Sequence, residues 1–214
     1  MANARLKKLK GDSYYGKTAR DYETKRHKQA WWWVEQEKMQ ELLHMLPENL
    51  NVLDVPFGTG RFVKFYHARG HSVSGLDASD EIMKTAHSIL GADYEKCRTH
   101  RGYSTDLPFE DGEFDLVVST RFLRDIVSFG DAKKTIEEFA RVSKGYAILQ
   151  LGYRVNAPFD KPQDDERMGS RMSREDVIDL LTDYGFEEIE SRKVKELDNG
   201  DSEIHHFLLK RRFE

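Results

Sequence analysis

An α/β domain built on a doubly wound, mostly parallel sheet is the fold the sequence predicts, and three observations carry it. Strand-like and helix-like segments alternate from Asn51 to the end of the 214-residue chain. A glycine pair, Gly58 and Gly60, stands between the first apolar segment and a helix-like stretch. Two acids, Asp54 and Asp77, close the first two strand-like segments, 23 positions apart. The length suits one domain with a terminal extension, divided here into an N-terminal helical cap or lid, 1–48, and a ligand-binding core, 49–214. A net charge of -4, with 34% charged and 38% apolar residues, points neither to a disordered chain nor to a general nucleic-acid binder.

The elements follow in order. Up to about residue 28 the chain is polar and rich in Lys and Arg. In "WWWVEQEKMQELLHMLP", Trp32, Met39, Leu42, Leu43 and Leu46 recur at helical spacing and Pro47 ends the helix. Three consecutive tryptophans on a helix point in three directions, so one or two are expected to anchor the core and one to face a cleft. "NVLDV" reads as the first strand and "RFVKFYHARG", from about Arg61, as its helix. "SVSGLD", "DEIMKTAHSIL" and "DYEKCRTH" continue the alternation, then "FDLVVST", "DAKKTIEEFARVSKG", "YAILQLGYR" and "SREDVIDLLTDYG", which Gly185 closes. Two strands come last, "FEEIESRKVKEL" and "EIHHFLLKRR", with only "DNGD" between them. Asn-Gly is a tight hairpin signal, so the final strand is expected to run antiparallel on the otherwise parallel sheet.

In such a sheet a ligand sits beyond the carboxyl ends of the strands, which the first strand borders. Gly58 and Gly60 permit positive φ and close backbone approach there, and the helix after them would direct free N–H groups at the ligand. A dinucleotide fits badly, because Asp54 would face its pyrophosphate at close range. The glycines also fail G-x-G-x-x-G in either register: Val63 occupies the third position if the motif starts at Gly58, and Arg61 if it starts at Pro56. S-adenosylmethionine carries an ammonium and a sulfonium, which a carboxylate attracts. Asp77 stands close to the interval at which an acid reaches ribose hydroxyls, and equally suits the N-terminus of a helix capped by Ser79 or Asp80.

"LDVPFGTG", "GLDAS", "LPFEDGEFDLVVST" and "GFEEIE" through "HHFLLKR" together resemble the class I S-adenosylmethionine-dependent methyltransferases, in particular the small-molecule branch related to ubiquinone and menaquinone methyltransferases. "YGKTARDYE" is similar to that branch's N-terminal aromatic-x-x-x-Ala-x-x-Tyr-acid segment. The resemblance implies a Rossmann-like seven-stranded sheet of order 3-2-1-4-5-7-6. It implies that Asp54 and the turn Pro56, Phe57, Gly58, Thr59 and Gly60 serve the methionine end of the cofactor, and that Asp77 serves the ribose. Ala78 would flank the adenine, with Tyr103, Ser104 and Thr105 wrapping it. Tyr103 stands where the family commonly has an acid, so Asp106 or stacking by Tyr103 is the substitute for the usual contact. Ser119 and Thr120 would border the transferred methyl, and Tyr15 and Tyr22 would close over the cofactor.

Methyl transfer from a sulfonium is an in-line displacement that needs alignment and exclusion of water more than a strong base. The sequence has no triad, paired-carboxylate or metal-ligand pattern. His205 and His206 are neighbours on a strand, where side chains alternate faces, so no shared metal is expected. Arg121 and Arg124 follow the fourth strand, and Tyr153 and Arg154 end the fifth. They stand to clamp an anionic small-molecule acceptor, or else to form ion pairs with neighbours such as Asp125 or Asp160. An O or N nucleophile is the expected acceptor atom. Two other readings stay open: a tRNA or DNA methyltransferase, drawn from the basic, aromatic N-terminal stretch and opposed by "STRF" after the fourth strand; and a cofactor-binding regulatory module without catalysis. One cysteine, Cys97, and no apolar run of about 18 residues lead to the expectation of a cytoplasmic protein that does not insert into membranes.

Overall fold

The computed structural model describes residues 29–213. The strands are β1 (Asn51–Asp54), β2 (Ser72–Asp77), β3 (Cys97–Arg101), β4 (Phe114–Ser119), β5 (Ser143–Arg154), β6 (Phe186–Leu197) and β7 (Ser202–Arg211). They form one sheet in the order β3-β2-β1-β4-β5-β7-β6. β1 pairs in parallel with β2 and β4, β2 with β3, and β4 with β5. β7 runs antiparallel to both β5 and β6, as the short connection before it predicts.

The helices are α1 (Ala30–His44), α2 (Val63–Ala68), α3 (Asp80–Leu90), α4 (Ala92–Glu95), α5 (Phe129–Val142) and α6 (Arg174–Asp183). Side chains close the orphan N–H groups at three N-termini. Ser79 Oγ accepts from Ile82, Ser128 Oγ from Asp131, and Ser173 with Asp176 forms a reciprocal capping box.

Alternation along the central strands divides the core between the two faces. Leu53, Val117, Ala147 and Phe207 belong to a cluster with Phe139 of α5 and Leu181 of α6. Val52, Leu116, Val118 and Ile148 belong to a second, with Met39, Leu42 and Leu43 of α1 and Phe62 and Tyr66. The first described helix is therefore packed into the same core as β1. Each of its buried Met and Leu side chains is worth about 1.5–3 kcal/mol in apolar burial.

Three local expectations change. The helix after the glycine turn starts at Val63 and has six residues, and the Gly60 N–H is already bonded to Phe57 O at 2.9 Å, so few free N–H groups point outward. "DYEKCRTH" splits into α4 and β3, because its first half, following Gly91 at φ 55°, extends α3 by a further turn. The turn between β6 and β7 is a 3-10 turn over Asp198–Gly200 rather than a two-residue hairpin, with φ of 53°, 57° and 96° at its three residues. Asp, Asn and Gly are the residue types that tolerate that run.

Candidate functional site

The carboxyl ends of β1, β2 and β4 open on a cavity of about 490 Å³, within the ~300–1,000 Å³ typical of small-ligand sites. Val55, Pro56, Phe57, Gly58, Thr59 and Arg61 bring the glycine turn to its wall, and Leu76, Asp77, Ala78 and Ser79 bring the end of β2. Gly102, Tyr103, Ser104, Thr105 and Asp106 form another side. Thr120, Arg121 and Phe122 follow β4, Ile126, Val127 and Asp131 lead into α5, and Trp32 arrives from α1.

The turn is held by the strand beside it. Phe57 N–H donates to Leu76 O at 2.8 Å, and a Cβ on Gly75 would run into the Phe57 ring. The bare backbone of Gly75 thus lets Phe57 lie across β2. Gly58 has φ 56° and open space where a Cβ would project, whereas a Cβ on Gly60, at φ 69°, would strike Leu90. Gly58 N–H donates to Asp77 Oδ2 at 2.9 Å and Ser79 N–H to Asp77 Oδ1 at 2.9 Å. With the Ala78 N–H also turned to the carboxylate, these donors still leave one of its roughly four lone-pair sites to offer. Burial raises the Asp77 pKa, against the pull of those N–H bonds.

Asp54 is not on the cavity wall. It is 3% exposed, beneath the turn, and accepts from Tyr66 Oη at 3.3 Å. Burial pushes its pKa well up, the Tyr66 bond opposes this, and the charge of Asp77 adds to it. Gly60 and Ser119 are likewise behind the wall, and buried Ser119 Oγ has no hydrogen-bond partner among the described residues. Tyr15 and Tyr22 lie outside the described residues. Ser104 Oγ is tied to Thr135 Oγ1 at 2.8 Å, and Tyr103 is exposed.

The four residues expected at the acceptor end do not converge. Arg121 borders the cavity. Arg124 turns to Asp125 at 2.6 Å and to Ser170. Tyr153 is buried, its hydroxyl donating to Glu203 Oε2 at 2.8 Å and lying 2.9 Å from His205 Nε2. The backbone N–H of Arg154 is bonded to Met172 O. Because β5 continues through residue 154 in its pairing with β7, Tyr153 and Arg154 are drawn into the sheet rather than onto its rim.

Arg121 instead joins a buried polar group. Glu35 of α1, 2% exposed, accepts from Arg121 Nε at 2.9 Å, from Arg61 Nη1, and from Gln150 Nε2 at 2.6 Å. Burial raises the Glu35 pKa, but the charges of Arg121 and Arg61 bring it below its usual value, so it is ionised at neutral pH. The Arg61 guanidinium lies 4.6 Å from the Trp32 ring centroid and that of Arg121 lies 4.0 Å from Trp31. Trp33, by contrast, is 60% exposed. Fully buried His206 sits next to this group, its pKa lowered to about 4 chiefly by burial, while His205 turns the other way, to Tyr153 and Glu203. Glu35 had a signal in the sequence: it stands three residues after Trp32 and four before Met39, an acid on an otherwise buried stripe.

Residues 52–145 match the family model described as "Methyltransferase domain". The match covers less than half of the 214-residue chain. The matched stretch takes in most of β1, all of β2 to β4, the glycine turn and the cavity-lining residues except Trp32. An uncharacterized methyltransferase of Synechocystis sp. is 33% identical over 120 residues, covering 52% of this chain and 54% of that protein. The demethylmenaquinone methyltransferase of Clavibacter sepedonicus is 31% identical over 93 residues, covering 44% and 36%. The chain thus spans about half or less of the length of these relatives. A crystal structure of a SAM-dependent methyltransferase from Methanosarcina mazei superposes with a TM-score of 0.60 at 22% identity, over 81% of this chain and 98% of that one, a likeness of fold.

S-adenosylmethionine is the cofactor that the glycine turn and Asp77 lead one to expect. The cavity suits it on its own geometry: a carboxylate with spare acceptor capacity at the end of β2, apolar walls from Ala78, Ile82 and Val127, and a glycine with open space at Gly58. Among the described residues no cluster of His, Cys, Asp and Glu is arranged to hold a metal, and no helix is long and apolar enough to cross a membrane.

Proposed function

We propose that this protein transfers the methyl group of S-adenosylmethionine to an oxygen or nitrogen nucleophile of a small, anionic molecule. The observation that carries this is the cavity itself, walled by the glycine turn, Asp77 and the loop after β4. Asp77 would hold a ribose hydroxyl through the acceptor capacity that Gly58, Ala78 and Ser79 leave free. Ala78 and Ile82 would pack on the adenine, with the backbone of Ser104 and Thr105 at its edge. The turn Pro56 to Gly60 would take the methionine portion, and Arg61 is placed to meet its carboxylate. Asp54, whose burial favours its protonated form in the ligand-free protein, would act from beneath the turn by giving up that proton when the methionine ammonium arrives above it.

The bound cofactor supplies an activated methyl and a neutral leaving group. The residues around it have to bind, orient and exclude water. Thr120 and Phe122, after β4, would border the acceptor, with Trp32 of α1 as a wall. We assign residues 1–48 to an N-terminal helical cap, whose α1 packs into the core beside β1 and reaches the mouth through Trp32, and 49–214 to the core, and we place the protein in the cytoplasm on the strength of its single cysteine.

Isothermal titration calorimetry with S-adenosylhomocysteine, S-adenosylmethionine and NAD tests the cofactor assignment. The first two are expected to bind and NAD is not; binding of NAD alone overturns it. Mass-spectrometric detection of a +14 Da product across a panel of small acids, amines and phenols then tests transfer.

A further inference from the structure

The acids on the cavity wall, Asp77, Asp106 and Asp131, come from the end of β2, the loop before residue 107 and the first turn of α5. Its cations, Arg61 and Arg121, are gathered elsewhere by Glu35, which does not itself border the cavity. A ligand entering at that end therefore meets guanidinium groups, with the carboxylate that holds them behind.

Arg121 is fixed more firmly than an ordinary surface arginine. Its φ is 57°, a conformation that a non-glycine residue keeps only where its surroundings enforce it. Its backbone N–H donates to Gln150 Oε1 at 2.9 Å, its Nε is held by both Glu35 oxygens at 2.9 and 3.1 Å, and Trp31 lies against its guanidinium. Little side-chain freedom is left to lose when it binds an anion. It follows Thr120 directly, at the end of the strand that faces the transferring methyl in the reading above.

We propose that Arg121 is the anion-recognising residue of the acceptor subsite, that the acceptor is a small carboxylic acid, and that Glu35 is an internal carboxylate competing with the acceptor for Arg121. This rests on the methyl-transfer reading. A carboxylate is favoured over a phosphate because Trp31, Trp32 and Phe122 surround the position with apolar surface. A monoanion loses less hydration there than a dianion does. Arg61, in the glycine turn, serves the cofactor side, which leaves Arg121 for the acceptor. Glu35 in this arrangement is a positioning residue: it aims Arg121 and lowers its affinity for an outside anion.

The experiment uses the full chain saturated with S-adenosylhomocysteine, so that the methionine carboxylate already occupies its place, and titrates benzoate, its neutral analogue benzamide, and inorganic phosphate by calorimetry. Benzoate is expected to bind and benzamide to bind at least about tenfold more weakly. Arg121→Gln should weaken benzoate about tenfold or more, with Arg121→Lys intermediate, while affinity for S-adenosylhomocysteine stays within about twofold. Glu35→Gln keeps the shape and removes the competing charge, so benzoate should bind more tightly in that variant; loss of a purely structural support would weaken it. Equal binding of benzoate and benzamide, unchanged binding in Arg121→Gln, or weaker binding in Glu35→Gln overturns the proposal, and tighter binding of phosphate than of benzoate overturns the choice of a carboxylate. Failure of S-adenosylhomocysteine to bind the wild-type chain is a separate result, and it overturns the methyl-transfer reading instead.

Discussion

Asp77 and Asp54 are both buried acids, yet the structure gives them different surroundings. Asp77 has backbone N–H donors from Gly58, Ala78 and Ser79 and a face on the cavity. Asp77→Asn is expected to weaken S-adenosylhomocysteine binding about 10- to 100-fold, since hydrogen bonds to a charged partner are worth ~1.5–3 kcal/mol, and calorimetry reads the loss directly. Asp54 has one long bond from Tyr66 and a neighbouring negative charge. Its folded pKa lies above the unfolded value of about 3.9, so the folded protein holds a proton that the unfolded chain has released. The ligand-free protein therefore loses stability as pH rises from about 4 to the folded pKa and stays at the lower level beyond. Asp54→Asn should remove that loss and raise the ligand-free melting temperature at pH 8; no rise means that Asp54 is not strained by its burial. His206 acts in the opposite direction. Its pKa is lowered to about 4, so the fold loses stability as pH falls from about 6.5 to about 4, by roughly 3 kcal/mol at most. Urea unfolding of His206→Leu should show a flatter dependence across that interval.

The glycine turn and the strand beside it depend on each other. Gly75→Ala would push Phe57 off β2, and overpacking of this kind costs ~1–3 kcal/mol. Because Phe57 lines the cavity, the same change should weaken S-adenosylhomocysteine binding. Gly58→Ala meets no atom and suffers only from its positive φ, so its urea midpoint should fall less than that of Gly75→Ala. Strand periodicity, caps and the glycine punctuation made the order of elements legible, including the antiparallel final strand. The length of α2 was not legible, because "RFVKFYHARG" carries helical spacing throughout while its first residues are used in turns, with Phe65 N–H bonded to Phe62 O. Asp77 could be found from its place at a strand end. Arg124, Tyr153 and Arg154 were placed at the mouth on chain position alone; Arg124 pairs with the adjacent Asp125, the alternative the sequence offered, while Tyr153 and Arg154 are held by Glu203 and Met172 from later segments. Such pairings leave no local pattern to read.

The molecule as a whole carries a cavity at the carboxyl ends of β1, β2 and β4, so filling it should stabilise everything around it. At a ligand concentration of about 100 times Kd, S-adenosylhomocysteine adds ~2.7 kcal/mol, and each kcal/mol shifts the midpoint of a chain this long by about 2–4 °C. A rise of roughly 5–10 °C is expected with S-adenosylhomocysteine and none with NAD; scanning calorimetry decides.

The Glu35 cluster also bears on the order in which the chain assembles. Glu35 meets Arg61, Arg121 and Gln150 across 26, 86 and 115 residues of sequence. A carboxylate cannot enter an apolar interior ahead of the cations and the amide that receive it, and Gln150 and His206 reach their places only once β5 and β7 are paired. Helix α1 is therefore expected to dock among the last, after the sheet it completes. In folding kinetics, Glu35→Gln should change the unfolding rate and leave the refolding rate nearly unaltered, whereas Val117→Ala, in the centre of the sheet, should slow refolding. A synthesised chain would then hold α1 in waiting until β7 is in place.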